Sequence, residues 1–327
     1  MPRLLFIGLM FFALCLSPEP ARAAAAPDRL TGLHSAQVLS QSMPWIAQEA
    51  GLFKKYDLDF RLVFISSSPV ATAATLSGDA EIGVTGAIGN VRAFVQGSTD
   101  LVFIAGMKNI LTHNLLGKPD IKRPEDLRGK KVGVGRFGGN THYFVIQALK
   151  RFGMDATKDI QTIQTGGSPE TVAALVAGNV DAAAIVAPGD FVAASKGFRY
   201  VINGPEMRIP YGATAVVTLR SLIAKRGPTI GRFMRAMAEA SKILHNDKAF
   251  VYKVLGKYMR LTDTKVLDAS YQSEVPAMEP RLEIHDAALQ ASLDEIAPLD
   301  VRAKNIKPAE MIDRRYLVEL EKSGAFK

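Results

Sequence analysis

Residues 66–90 read SSSPVATAATLSGDAEIGVTGAIGN, and residues 166–190 read GGSPETVAALVAGNVDAAAIVAPGD. Laid together without gaps, Ser68-Pro69, Ala73-Ala74, Gly78, Ala87 and Gly89 meet Ser168-Pro169, Ala173-Ala174, Gly178, Ala187 and Gly189, and Glu81 faces Asp181. Small common residues inflate such a match, but the order of structural signals repeats as well. In each copy an apolar strand (60–65, 160–165) runs into a Ser-Pro turn, where serine can cap a helix and proline suits its first position. The helix stops at Gly78 or Gly178, where glycine can take the left-handed conformation. A short strand (82–85, 182–186) follows and ends in a second glycine-containing turn.

Upstream, each copy is preceded by another strand–turn–helix ending in glycine: GLHSAQVLSQSMPWIAQEAG up to Gly51, and KVGVGRFGGNTHYFVIQALKRFG up to Gly153. Each half is therefore β-α-β-α-β, which predicts parallel strands and right-handed crossovers. In open parallel sheets a ligand sits beyond the carboxyl ends of the strands. The turns at 40–45, 66–69 and 85–90 in one half, and at 135–142, 166–169 and 187–190 in the other, would then face one cleft. After Pro210-Tyr211-Gly212 comes one more strand-like run, 213–219. The remainder reads as helical, with an apolar stripe at Ile230, Phe233, Met234, Met237 and Leu244 that suits a core, and a last helix over 308–323.

The first residues bear on location. Arg3, an apolar run over 4–16 and the small residues from Ala21 to Ala26 form the pattern of a cleavable export signal. That run is too short to span a bilayer, and Pro18 and Pro20 end it. Cys15, the sole cysteine, lies inside it, so the processed chain is expected to carry no thiol chemistry. The formal net charge is +8, yet the basic residues are dispersed, without the stripe or aromatic interleaving of a nucleic-acid surface. No later stretch has the apolar length of a membrane helix.

At this point the sequence resembles the periplasmic solute-binding proteins of ABC importers, in particular the nitrate/sulfonate/taurine and thiamine-pyrimidine-precursor group. The matching stretches are MPWIAQEAGLFKKYDLDF, ATLSGDAEIGVTG, RPEDLRGKKVGVG and AALVAGNVDAA. The resemblance implies a two-lobed α/β periplasmic-binding fold of type II, each lobe a mainly parallel sheet flanked by helices, with the ligand in the interlobe cleft. The expected division is a signal peptide over 1–26, a first lobe from 27–107 plus 213–327, and a second lobe over 108–212. It also implies a monomer in the periplasm that hands a small molecule to a membrane permease and its ATPase, with no membrane insertion after processing, no nucleic acid and no cofactor.

GVGRFG at 133–138 is a literal G-x-G-x-x-G. A dinucleotide site wants an acidic residue at the end of the next strand, and here that strand ends Gln164-Thr165-Gly166. Gly138, Gly139, Asn140 and Thr141 instead offer backbone N–H groups at a helix start, which suit a small anion; a turn that simply needs glycine is the alternative. Gln41, Ser42 and Trp45 sit at the first turn of the first lobe, where Trp45 either packs in the core or stacks on ligand from the rim. Ser67, Ser68, Thr85 and Gly86 are candidate ligand donors, or caps of their own helices. His142 and Pro188 complete the candidate ligand-binding set. Asp190 could meet an amine or cap a helix. Ser168 is expected to cap its own helix.

No metal is expected, since His34, His113, His142, His245 and His285 share no ligand spacing. No catalytic residue is expected either: GGSPE lacks the trailing glycine of a nucleophile elbow. Two other classes remain open. One is an enzyme on the same fold, resembling desulfinases or pyrimidine-precursor synthases, though both depend on cysteine. The other is a periplasmic sensor presenting its ligand to a receptor. Helix-end donors favour nitrate, sulfonate or carboxylate, while Trp45, Phe137, Tyr143 and Phe191 leave room for an aromatic group.

Overall fold

A computed structural model describes residues 26–326; the expected export signal, apart from Ala26, and Cys15 within it lie outside the described residues. The first lobe opens with β1 (Asp28–His34), α1 (Met43–Glu49), α2 (Leu52–Lys55), β2 (Leu58–Phe64), α3 (Ser68–Ser77), β3 (Ile82–Thr85), α4 (Ala87–Val95) and β4 (Leu101–Ile110). Residues 111–113 then carry the chain into β5 (Asn114–Gly117), β6 (Lys131–Val134), α5 (Asn140–Arg151), β7 (Gln161–Gln164), α6 (Ser168–Val176), β8 (Ala182–Ile185), α7 (Gly189–Ser195) and β9 (Arg199–Ile202). The return passes through α8 (Gly204–Met207) into β10 (Pro210–Leu219). The chain ends in α9 (Arg220–Asn246), α10 (Lys248–Met259), α11 (Thr264–Glu274), α12 (Asp286–Ile296) and α13 (Arg315–Lys322).

The strands form two five-stranded sheets, ordered β2-β1-β3-β10-β4 and β7-β6-β8-β5-β9. The three strands of each repeat pair in parallel. The fourth strand in each sheet is antiparallel, and it is the strand that has just crossed from the other lobe: β10 in one, β5 in the other. The two sheets therefore share one topology, and the architecture is the two-lobed α/β fold that the repeat implies.

Local chemistry explains most boundaries. Gly78 and Gly178 end their helices with φ of +83° and +76°, a conformation that glycine adopts without a steric penalty. Pro69 and Pro169 sit in the first turns of α3 and α6, but neither helix has a side-chain cap. Ser168 is the first residue inside α6, after Gly167, so it does not cap its own helix. The stripe Ile230, Phe233, Met234, Met237 and Leu244 on α9 is wholly buried in the first-lobe core. The expected single helix over 308–323 is broken. Pro308–Met311 form a 3-10 turn, Ile312 bridges Phe103 beside β4, and α13 starts only at Arg315. Pairing with a buried strand outweighs helical propensity there.

A second apolar cluster joins the lobes. It combines Val91 and Phe94 of α4, Tyr143 and Phe144 of α5, Leu115 of β5 and Leu289 of α12. Burying one such side chain is worth about 1.5–3 kcal/mol, so the lobes are held together on this side by packing as well as by the two connections.

Candidate functional site

The strand–helix turns of both sheets converge on one cavity of about 90 Å³. From the first lobe its wall takes Ser35, Gln41, Phe64, Ser66–Ser68, Lys108 and Thr214; from the second, Arg136, Gly139–Thr141, Gly166–Ser168 and Thr171; and His113 comes from the connection between them. Several of these groups are already committed. Gln41 accepts from the Ser35 and Ala36 amides at 2.7 and 2.9 Å and donates to Ser35 Oγ, so it shapes the loop after β1. Thr141 Oγ1 accepts from Gly135 N at 2.8 Å and tightens the glycine turn. Thr171 Oγ1 donates to Gly167 O.

Other polar atoms are uncommitted. Ser67 Oγ and His113 Nδ1 are buried and without a hydrogen-bond partner, and both residues line the cavity. Ser67 also holds φ +84° and ψ 137°, a backbone region serine rarely visits. Strain of this kind costs about 1–3 kcal/mol and concentrates at functional sites.

The electrostatics are one-sided. None of the lining residues is Asp or Glu. Lys108, in the middle of buried β4, is fully enclosed; its Nζ donates to Glu274 and to Thr112 at 2.7 Å each, and Thr112 donates to Glu274 in turn. The ammonium is thus neutralised behind the wall. Burial, reinforced by Lys108, pushes the His113 imidazole down to about 3, so it is neutral at physiological pH. Arg136 is exposed at the cavity edge and has no carboxylate partner among the described residues. Where α7 meets α11, Asp190 accepts from Asn114 Nδ2 at 2.8 Å, and burial pushes its carboxyl up to about 6. Among the described residues no group of three or more His, Cys, Asp or Glu could hold a metal.

The structure brings Gln41, Ser67, Ser68, Gly139, Asn140 and Thr141 of the candidate set to the wall, whereas Ser42, Trp45, Thr85, Gly86, Gly138, His142 and Pro188 lie outside it. Trp45 is not on the rim. It is 2% exposed, stacked on Tyr258 with planes 5° apart and edge-on to His34, because helices α9 and α10 cover the face of α1 that carries it. Tyr143 stacks on Tyr211 in the interlobe cluster, and Phe137 and Phe191 also lie off the wall. His142 Nδ1 accepts from Gly138 N at 3.1 Å and closes its own turn.

Ser42 and Thr85 keep buried hydroxyls without partners, but behind the wall. Asp190 neither meets the cavity nor starts a helix as its cap: Pro188 precedes α7 there. Asn140 points across the interface: its Nδ2 donates to Ala213 O at 2.9 Å, and its Oδ1 accepts from Tyr211 at 2.8 Å and from Ser68 at 3.4 Å. The wall also holds residues outside the candidate set, among them the charged or titratable Lys108, His113 and Arg136. A lone charged residue inside a largely apolar ten-residue strand, LVFIAGMKNI, is the signal for Lys108.

The model of the family described as NMT1/THI5 like matches residues 42–249. By sequence the chain is similar to the taurine-binding periplasmic protein of Escherichia coli (strain K12), 33% identical over 147 residues, which are 44% of this chain and 44% of that protein. The matched segment spans about half the length of the curated relatives it matches. Among solved structures the chain is similar to the alkanesulfonate-binding protein SsuA from Xanthomonas axonopodis pv. citri bound to MOPS, with a TM-score of 0.75 at 21% identity over 89% of this chain and 100% of that one. It is also similar to the desulfurization enzyme DSZB, with a TM-score of 0.67 at 13% identity over 91% and 99% of the two chains. At these identities the likeness shows the fold, which binding proteins and an enzyme share.

Proposed function

We propose, from the premise that this chain belongs to the NMT1/THI5-like family, that it is the periplasmic solute-binding component of an ABC importer and that its solute is a compact anion held between the lobes. The observation that carries this is that two residues of the cavity wall, Ser67 and His113, each hold a buried polar atom without a hydrogen-bond partner, Oγ and Nδ1. A buried polar group left unmet costs about 1–3 kcal/mol, a cost that a solute oxygen bonded to either atom would remove. Arg136 at the edge and the lack of lining carboxylates favour negative charge. The same lack gives an ammonium group no counter-ion, so the wall suits nitrate or a simple short-chain sulfonate better than taurine. A cavity near 90 Å³ is smaller than the roughly 150 Å³ engineered void that takes benzene, which argues against an aromatic solute. The likeness to taurine-binding and alkanesulfonate-binding proteins supports a sulfonate-type head group.

The enzymatic alternative has the shared fold of DSZB behind it. None of the lining residues is a cysteine, so thiolate attack has no nucleophile at the wall. No serine there is hydrogen-bonded to His113 Nδ1, so no serine–histidine pair is assembled through that atom.

The test is calorimetric titration with nitrate, methanesulfonate, taurine, benzenesulfonate and NAD, supported by melting curves. A solute at 100 times its Kd adds about 2.7 kcal/mol, enough to raise Tm by a few degrees. His113→Ala should then weaken binding by about 5- to 150-fold. Binding of NAD alone, or of none of the small anions, overturns the proposal.

A further inference from the structure

Asn140 carries more than its place at a helix start suggests. Both ends of its amide are bonded across the interface, Nδ2 to Ala213 O and Oδ1 to the Tyr211 and Ser68 hydroxyls. Because a carbonyl must face Nδ2 and a hydroxyl donor must face Oδ1, the network fixes which way the amide points. The floor of the slot is Gly86. A Cβ added there would lie 2.6 Å from Asn140 Nδ2 and 2.7 Å from its Cγ. Gly86 has φ −72° and ψ 151°, extended backbone open to any residue. Its lack of a side chain therefore serves Asn140 and not a turn. Below the amide, α5 continues onto the first lobe along one face: Tyr143 stacks on Tyr211 and donates to Ala291 O, and Gln147 donates to Glu295. Asn140 is also part of the cavity wall.

We propose that Asn140 is a positioning residue, a key whose seating against Gly86 sets how far the lobes close and hence the longest solute the cavity accepts. The proposal rests on the solute-binding reading for its consequence, but not for its geometry. The Asn140 amide gives one of its two N–H groups to Ala213 O and takes two hydroxyls on Oδ1, so the first lobe already positions the side chain before a solute arrives.

Gly86→Ala blocks the slot without straining the backbone, Asn140→Ala removes the key, and the double variant does both. The first measurement needs no solute: small-angle scattering of the ligand-free chain, with circular dichroism to verify folding. Both single variants should show a larger radius of gyration than the wild type, and the double variant no further increase. The second is titration with methanesulfonate and octanesulfonate. Each single variant should bind methanesulfonate about 5- to 150-fold more weakly, the usual range for coupling between a site and a conformational equilibrium. The affinity ratio should shift toward octanesulfonate, and the two losses should not add. Unchanged scattering in folded variants overturns the key. So does a loss shared equally by both sulfonates, or losses that add, as expected of a ligand contact at Asn140 and separate packing at Gly86. If neither sulfonate binds the wild type, the solute reading fails while scattering still decides the key.

Discussion

Lys108 and Glu274 are joined at 2.7 Å with side chains only 2% and 0% exposed, and Thr112 completes a closed triangle between them. The pair ties β4 to the end of α11, and its Lys108 is part of the cavity wall. Taking one charge away leaves the other buried and unpaired, which costs about 3–5 kcal/mol, whereas replacing both with apolar residues of similar volume is far milder. Lys108→Met and Glu274→Leu alone should therefore each lower the urea midpoint sharply, and the combined variant should recover much of the loss. Single variants as stable as the wild type would contradict a buried, mutually dependent pair.

Trp45, sandwiched against Tyr258 and away from the wall, should behave as a core residue. Trp45→Ala should cost about 3–5 kcal/mol, while Trp45→Phe should keep the affinity for methanesulfonate. The emission maximum of this sole tryptophan should stay at short wavelength on saturation with solute. A large red shift on binding would place the ring where solvent and ligand reach it.

Ser67 gives up backbone comfort to sit where it does. Glycine tolerates a φ of +84°, so Ser67→Gly should relieve strain worth about 1–3 kcal/mol, less the 0.5–1 kcal/mol or so that glycine loses in folding entropy. The ligand-free Tm should rise by a few degrees while affinity for the anion falls, since the hydroxyl is gone. A fall in both would show that the serine side chain supports the fold.

Asp190 makes stability depend on pH. Its folded-state carboxyl stands near 6, raised first by burial and then by Glu274 facing it from α11; the bonds from Asn114 Nδ2 and Phe191 N oppose the shift, and the Tyr200 hydroxyl lies 3.5 Å away. With a folded value above the unfolded one, the native state binds the extra proton between about pH 4 and 6. Stability due to this group therefore falls as pH rises through that window, by roughly 2–3 kcal/mol for a shift of about two units. Denaturation of the wild type and Asp190→Asn at pH 4, 5, 6 and 7 should show the wild type losing ground to the variant across the series. Parallel curves would mean that Asp190 titrates normally.

The repeat at 66–90 and 166–190 made the paired parallel units legible, because glycine stops and Ser-Pro turns are local signals. The antiparallel fourth strands were not legible as such, since their pairing depends on which lobe the chain has just left. At the site, position was easier to read than role. Asn140 was expected as a donor to ligand, and its amide is engaged by Tyr211 and Ala213, partners far away in sequence. Trp45 was placed by its turn, whereas the helices that bury it arrive some two hundred residues later. Ser67 was weighed as a cap, yet its hydroxyl has no partner. For Asn140 and Trp45 a long-range contact decided what a short motif left open.

The sheet order also dictates a sequence of assembly. Strands β5 to β9 are contiguous in the chain and complete their own sheet. β3, by contrast, is made early but lies in the sheet against β10, with Thr85 opposite Ala215. Until β10 emerges, β3 presents a bare row of donors and acceptors, open to mispairing with any free strand. Long-range pairing of this kind is slow to form. A nascent chain lacking residues after 209 should hence hold one finished unit and one unfinished, aggregation-prone unit. From residue 210 onward the chain gives only Ala213 and Thr214 to the cavity wall, yet without it the sheet of the first lobe stays in two pieces.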